Sequence, residues 1–168
     1  MTAGTDIVDP CHHGRFNALA GRWQISRAIT GGSVGQMTGI AIVTAGGPDR
    51  LDYAESGQLA LPGGPVLDVF RRYTYRLLAD GRIAIDFADG PTSGARFVTL
   101  AFVAGAEGAG DGVEGGWSAA DLHHCGDDLY HATMTLNLPD RFSTDIQVTG
   151  PRKDYRALTR YRRIAGSS

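Results

Sequence analysis

His123, His124, Cys125 and His131 bring four metal-ligating and proton-transferring side chains into one short stretch. A zinc site would need three or four nitrogen, sulfur or oxygen ligands at about 2.0–2.3 Å. Gly126-Asp127, between these residues, fits a two-residue type II′ turn with glycine at its first central position. That register pairs Cys125 with Asp128, His123 with Tyr130, and Leu122 with His131. His123 and Cys125 then share one face while His124 and His131 share the other. Neither face collects more than two good ligands, so no metal site is expected. His123 beside Tyr130 is a candidate acid–base pair, because imidazole titrates near neutrality and a phenol can orient it. The plainer alternative is a cross-strand pair that stabilises the hairpin.

A second hairpin adds tyrosines. Val69–Leu78 and Arg82–Phe87 flank Ala79-Asp80-Gly81. A three-residue loop, with Gly81 as the left-handed residue, turns Tyr73, Tyr75 and Leu77 to the same face as Ile83, Ile85 and Phe87. A two-residue turn would put Arg72 and Arg76 there instead, and a slip of one residue swaps every side chain. The apolar pattern selects the three-residue loop. Tyr73, Tyr75, Tyr130, Tyr155 and Tyr161, with Trp23, either offer a ligand their rings and hydroxyls or simply fill an interior. Glu55 shares a face with Tyr53 and Leu59. If it faces inward it needs a partner such as an inward arginine, or its pKa rises; a slipped register would leave it in solvent. Arg152, Lys153, Arg156, Arg160, Arg162 and Arg163 make the C-terminal segment basic. A solvated outer strand face accounts for that, with Ala157, Thr159 and Tyr161 turned inward. No glycine-rich phosphate loop precedes a helix, and no Gly-x-Ser-x-Gly elbow occurs.

The elements that must position these residues are short alternating strands spaced as in a sandwich or barrel. Arg22–Thr30 carries Trp23, Ile25 and Ile29 on one face, and Gln36–Thr44 and Leu51–Leu61 follow it. Phe97–Val103 is apolar on both faces, so it is expected at the centre of the sheet or covered outside. Arg141–Thr149 and Tyr155–Arg163 close the series. Phe16 and Leu19 within Gly14–Ala20 suit one helical turn that plugs a barrel end. Ala104–Gly116 reads as a long mobile loop, with a lid over the barrel as the alternative. Without βαβ alternation a parallel sheet is not expected.

The chain has 168 residues, 42% of them hydrophobic and 20% charged, which suits one domain with its own core. A net charge of -2 gives no general attraction to nucleic acid or anionic lipid. No run is long enough and apolar enough for a membrane-spanning helix. Met1–Pro10 has neither an early positive charge nor an apolar core, so no secretory leader is expected and the cytoplasm is the expected compartment. There, Cys11 and Cys125 are expected as free thiols. Arginine dominates the cations, with Lys153 the sole lysine, which points to a GC-rich bacterial genome.

Gly21-Arg22-Trp23, after a short helical turn, resembles the Gly-x-Trp signature that opens lipocalin and other calycin barrels. In those barrels the tryptophan closes the floor and packs beneath an arginine of the last strand, which implies Arg160 or Arg162 here. The resemblance extends further. Leu19-x-Gly21-x-Trp23, His124-x-x-x-Asp128-x-Tyr130, Val148-Thr149-Gly150-Pro151-x-Lys153-Asp154-Tyr155 and Thr159-x-Tyr161-x-Arg163 together resemble a bacterial family of lipocalin-like proteins known as a domain of unknown function. It covers most of Leu19 to Arg163 and implies a fold but no activity.

The expectation is an all-β, antiparallel, up-and-down lipocalin-like β-barrel of about 8–10 strands with a short N-terminal helix. The barrel domain spans 14–164, between tails at 1–13 and 165–168. The expected function is binding of a small, largely apolar molecule with a polar group inside the barrel. Trp23, Tyr73, Tyr75, His123, Cys125 and Tyr130 are expected to line or close that cavity. Two alternatives belong to other classes. One is an enzyme or haem protein using a cavity histidine, since related barrels hold haem through a single histidine. The other is an interaction module with a fully packed barrel. No motif demands a cofactor, haem being the one considered, and an oligomer is left open.

Overall fold

The computed structural model of the chain describes residues 10–105 and 116–166. A helix, α1 (Pro10–Asn17), precedes eleven strands: β1 (Gly21–Gly31), β2 (Gly35–Gly47), β3 (Arg50–Ala60), β4 (Val66–Leu77), β5 (Ile83–Phe87), β6 (Arg96–Leu100), β7 (Val103–Ala104), β8 (Trp117–Cys125), β9 (Asp128–Asn137), β10 (Arg141–Thr149) and β11 (Asp154–Arg163). They form one antiparallel, strongly curled sheet in the order β6-β5-β4-β3-β2-β1-β11-β10-β9-β8-β7. Every neighbour is sequential except β1 and β11, which pair from Trp23 opposite Arg163 to Gly31 opposite Tyr155. The fold is therefore all-β and up-and-down, as expected. The expected lid or loop falls largely on residues 106–115, outside the described residues.

Turn chemistry and alternation set the registers. Leu77 lies opposite Ile83, Tyr75 opposite Ile85 and Tyr73 opposite Phe87. The Leu78 amide donates to the Arg82 carbonyl at 2.8 Å, and Gly81 takes φ +85°, so the three-residue loop is the one formed. On the other side, His123 lies opposite Tyr130 and Cys125 opposite Asp128. Gly39 and Gly57 face each other on the inner side of β2 and β3. A Cβ on either would fall 2.3 Å from a carbonyl oxygen of the opposing strand, so only glycine permits this approach. Paired glycines of this kind let a sheet coil sharply.

The expected strand Phe97–Val103 is corrected in two ways. It is split at Ala101-Phe102 into β6 and β7, which makes eleven strands rather than about 8–10. It also lies at the end of the sheet, not at its centre. Its two-sided apolar character comes from a bulge: Val98 pairs with Ile85 and Arg96 with Asp86, leaving Phe97 as the extra residue. Phe97 and Val98 are both buried in consequence.

Closure is also more particular than a continuous ladder. β7 pairs with β8, Val103 opposite Ser118 and Ala104 opposite Trp117. The two ends of the sheet, β6 and β7, are thus consecutive pieces of one chain. Between β6 and β8 a side chain stands in for the ladder. The Asp121 carboxylate accepts the Thr99 backbone N–H at 2.8 Å, and its other oxygen accepts the Leu122 N–H at 2.8 Å. Beyond it, the Phe97 and His123 rings meet across the seam with centroids 5.4 Å apart.

α1 starts ahead of the expected Gly14–Ala20 turn and plugs the floor with buried Phe16, helped by Leu19. Trp23 is fully buried, and its indole N–H donates to the Leu19 carbonyl at 3.0 Å. The arginine over its ring is Arg163, at 4.2 Å, rather than Arg160 or Arg162. The reason is parity: Arg163 pairs with Trp23 itself, whereas Arg162 and Arg160 pair with the outward Gln24 and Ser26. Arg163 donates to the carbonyls of Ala20 (2.9 Å), Ala18 and Pro139 (2.5 Å), tying helix, first strand and last strand together.

Candidate functional site

Burial of the inward side chains changes along the strands. Toward α1 they are closed off: Trp23, Ile25, Leu51, Ile83, Leu100, Leu136 and Phe142 are all buried. Toward the opposite end Ile29, Leu59, Val69, Tyr73, Phe87, His123, Tyr130, Ile146 and Tyr155 are only half-buried, although they share the inner face. Met37 and Val148 are the buried exceptions among their neighbours. The interior is therefore a cup, floored near its middle and open at the end away from α1.

A charged layer forms that floor. Glu55 does face inward, with its side chain 4% exposed, and the partner it requires is Arg27, at 21%. Their contact is fork to fork, Nη1–Oε1 2.8 Å and Nη2–Oε2 2.9 Å. Arg27 Nε donates to Thr159 Oγ1 at 2.7 Å, and Nη1 also approaches Met37 Sδ at 3.2 Å. The Tyr53 hydroxyl donates to Glu55 Oε2 in a short hydrogen bond. With that proton committed, the Tyr161 hydroxyl, 2.9 Å away, is the one that donates to Tyr53. A relay Tyr161 → Tyr53 → Glu55 results, anchored by the guanidinium. Burial opposes the charge on Arg27, but its hydrogen bonds to Glu55 and the surrounding field outweigh this and hold its pKa above the ordinary value. Burial first, then Tyr161 and Glu55, push Tyr53 well up; Tyr161 is raised chiefly by burial.

Above the floor stands an aromatic wall that crosses the seam. His123 lies 5.4 Å from Phe97, 5.8 Å from Phe87 and 5.9 Å from Tyr130, ring centre to ring centre, each pair near edge-to-face. Tyr73 extends the wall, 5.9 Å from Phe87 and 6.1 Å from Phe97. Its hydroxyl pKa is pushed up to about 12, chiefly by burial.

Of the residues singled out from sequence, Tyr73, His123 and Tyr130 come together in this wall. Tyr75 lies beneath it, buried and stacked on Tyr53 at 5.8 Å, with its hydroxyl pushed well up by burial. Trp23 lies lower still, in the sealed core beneath the charged layer, edge-on to Phe142 at 4.7 Å. Cys125 is exposed at the hairpin tip. His124 and His131 face outward and are exposed, and among the described residues no three His, Cys, Asp or Glu gather as a metal-binding group. Sequence reasoning passed over Arg27, Thr159 and Phe97 as site residues. Arg27 had a signal, since it follows Trp23 and Ile25 in the inward series.

A separate cavity of about 280 Å³ lies under the floor, lined by residues that include Arg15, Ala18, Trp117 and Pro139. The Arg15 guanidinium sits 3.6 Å above the Trp117 ring there.

A protein-family model described as "Family of unknown function (DUF6314)" matches residues 19–163. No curated protein matches the chain. Among solved structures, the chain is similar to a redesigned beta barrel, mFAP0, bound to DFHBI, at 10% identity and a TM-score of 0.47, over 87% of this chain and 99% of that one. It is similar also to EF1p2_mFAP2b bound to DFHBI, at 12% identity and a TM-score of 0.48, over 90% and 99%. A third is a fluorescence-activating beta barrel designed de novo, at 12% identity and a TM-score of 0.46, over 89% and 98%.

Proposed function

The chain belongs to that family of unknown function, and we propose that it binds a small, largely apolar molecule carrying a polar group, held inside the cup. The observation that carries this reading is the change in burial along the inner face. A barrel packed only for stability would bury its inward apolar residues to the end of each strand. Here Ile29, Leu59, Val69 and Ile146 line the inner face yet stay only partly buried, the last three resting on the edge of the core. Apolar walls with a few fixed polar groups suit a small-molecule site. The Arg27–Glu55–Tyr53 layer supplies those groups and is held rigid by its own hydrogen bonds.

The test uses a neutral solvatochromic dye such as Nile red, together with native mass spectrometry of the purified protein. The dye should bind in the wild type with a blue-shifted emission. Val69→Trp, which fills the cup from β4, should abolish binding while the circular dichroism of the sheet is retained. Unchanged dye binding in that variant would remove the cup from consideration. A co-purified small molecule would identify the ligand directly, and a visible haem band would bring forward the histidine-based alternative.

A further inference from the structure

At the mouth of the cup, groups from two opposite walls converge, and most of them are hydrogen-bond donors. Tyr130 and Tyr155 lie on either side of Val148 in one row of the inner face. Lys153, in the turn before β11, donates from Nζ to the Tyr130 oxygen at 3.3 Å and pairs with Asp128 Oδ2 at 3.1 Å. The Tyr130 oxygen is thereby an acceptor, and it also shares a hydrogen bond with the Tyr155 phenol, so one proton of the two phenols is left to donate to a ligand. From the other wall comes Arg71, on the inner face of β4, with its Cα opposite Glu55. Its guanidinium lies over the rings of Tyr73, at 5.6 Å, and Phe87, at 5.9 Å. The two walls are bridged by rings, since Phe87 beneath Arg71 lies 5.8 Å from His123, which in turn lies 5.9 Å from Tyr130. Tyr155 lies within the field of both cations. Burial pushes its phenol up, while the charges of Lys153 and Arg71 act against that rise.

Donors and acceptors are unequally committed here. Asp89 gives one oxygen to Arg71 Nη1 at 3.2 Å and the other to the Arg72 backbone N–H at 2.7 Å. Asp128 is taken up by Lys153. A guanidinium has five N–H donors, and Arg71 commits one of them to Asp89. Both cationic side chains are 45% exposed, so a molecule reaching the mouth meets them. The carboxylates are less exposed than their cations, 29% for Asp89 and 19% for Asp128, so an incoming anion adds to these pairs through the remaining donors rather than displacing them.

We infer that Arg71, Lys153, Tyr130 and Tyr155 form an anion-binding crown that holds the carboxylate of a ligand whose apolar body lies in the cup. This rests on the proposed binding function and names its ligand class: an amphiphilic monocarboxylate. A planar two-oxygen anion matches the guanidinium fork, and Lys153 and the phenols supply further donors. The apolar chain then runs down between Val69 and Ile146 toward the charged floor.

A matched pair of probes tests it: dansyl-labelled undecanoic acid and its methyl ester, which share a body and differ in charge. The acid should bind about tenfold more tightly than the ester, a preference that added salt reduces. Arg71→Met combined with Lys153→Met should bring the two affinities together by weakening the acid alone. Tyr130→Phe with Tyr155→Phe, which removes only hydroxyls, should lower the preference by a few-fold. Equal affinities in the wild type, or a preference that survives loss of both cations, overturns the inference while leaving the cup as a binding site. Failure of both probes overturns both readings.

Discussion

Arg27 and Glu55 meet fork to fork inside the curled sheet, at 2.8 and 2.9 Å, with the Tyr53 hydroxyl on the same carboxylate. The pair joins β1 to β3 across the intervening β2, so it fixes curvature as well as charge. A buried pair is weak evidence of net stabilisation, because both ions give up water. Its removal by halves is another matter.

Arg27→Met leaves the Glu55 carboxylate nearly solvent-free with Tyr53 as its remaining donor. The expected loss is about 3–5 kcal/mol in urea unfolding. Arg27→Met combined with Glu55→Leu should lose distinctly less, since no orphaned charge remains. Equal losses would show that the two side chains are not energetically coupled.

Alkali should unfold the protein through its buried phenols. Tyr53, Tyr75 and Tyr161 are raised above the ordinary value of 10.0, and Tyr73 rises to about 12. A raised pKa means that the native state keeps its protons longer than the unfolded chain. The contribution of these groups is therefore fully present below the unfolded value near 10, and it declines as pH climbs toward about 12. Phenolate absorbance should appear together with loss of near-ultraviolet dichroism. Early ionisation of the buried tyrosines in a still-folded protein would contradict their placement.

Asp121→Ala should loosen the seam and little else. The Thr99 amide loses its acceptor, at an expected local cost of about 1–3 kcal/mol. Its hydrogen exchange should speed up by roughly tenfold or more, while amides of the β1–β2 ladder keep their protection. Uniform acceleration throughout the sheet would show that Asp121 supports the whole fold rather than one edge.

Two glycine substitutions should have opposite signs. Gly39→Ala drives a methyl to 2.3 Å from the Ser56 carbonyl oxygen and should cost about 3 kcal/mol or more. Gly14→Ala, within α1, meets nothing within 4 Å and should stabilise by up to about 1 kcal/mol. Thermal melts of the two variants check both.

Local rules made much of this readable. The turns at Ala79-Asp80-Gly81 and Gly126-Asp127 fixed two hairpin registers, because a slip would have exposed Ile83 and Ile85 or buried His131. Alternation carries information beyond those hairpins. The inward series Ala157, Thr159, Tyr161 reaches Arg163 at the next step, and the series Trp23, Ile25 passes through Arg27 before Ile29. Glu55 announced that it needed an inward cation. What alternation cannot give is the curvature that brings distant edges together. The seam depends on the bulge at Phe97, which breaks the alternation, and on Asp121 reaching Thr99 from another strand. Cys125 shows a different limit: it keeps the inward parity of His123, but the wall has ended by that point and the thiol is left in solvent.

The junction at Ala101-Phe102 joins the two margins of the sheet within a single uninterrupted polypeptide. β6 and the part of β8 beyond Ser118 keep unpaired backbone, so their closeness to one another, with Asp121 on the Thr99 amide, is what stands between that edge and a neighbouring molecule's strand. A protease cut at that dipeptide would release the two margins, β6 and β7, from one another. Solubility, more than ligand chemistry, would be the first property to suffer.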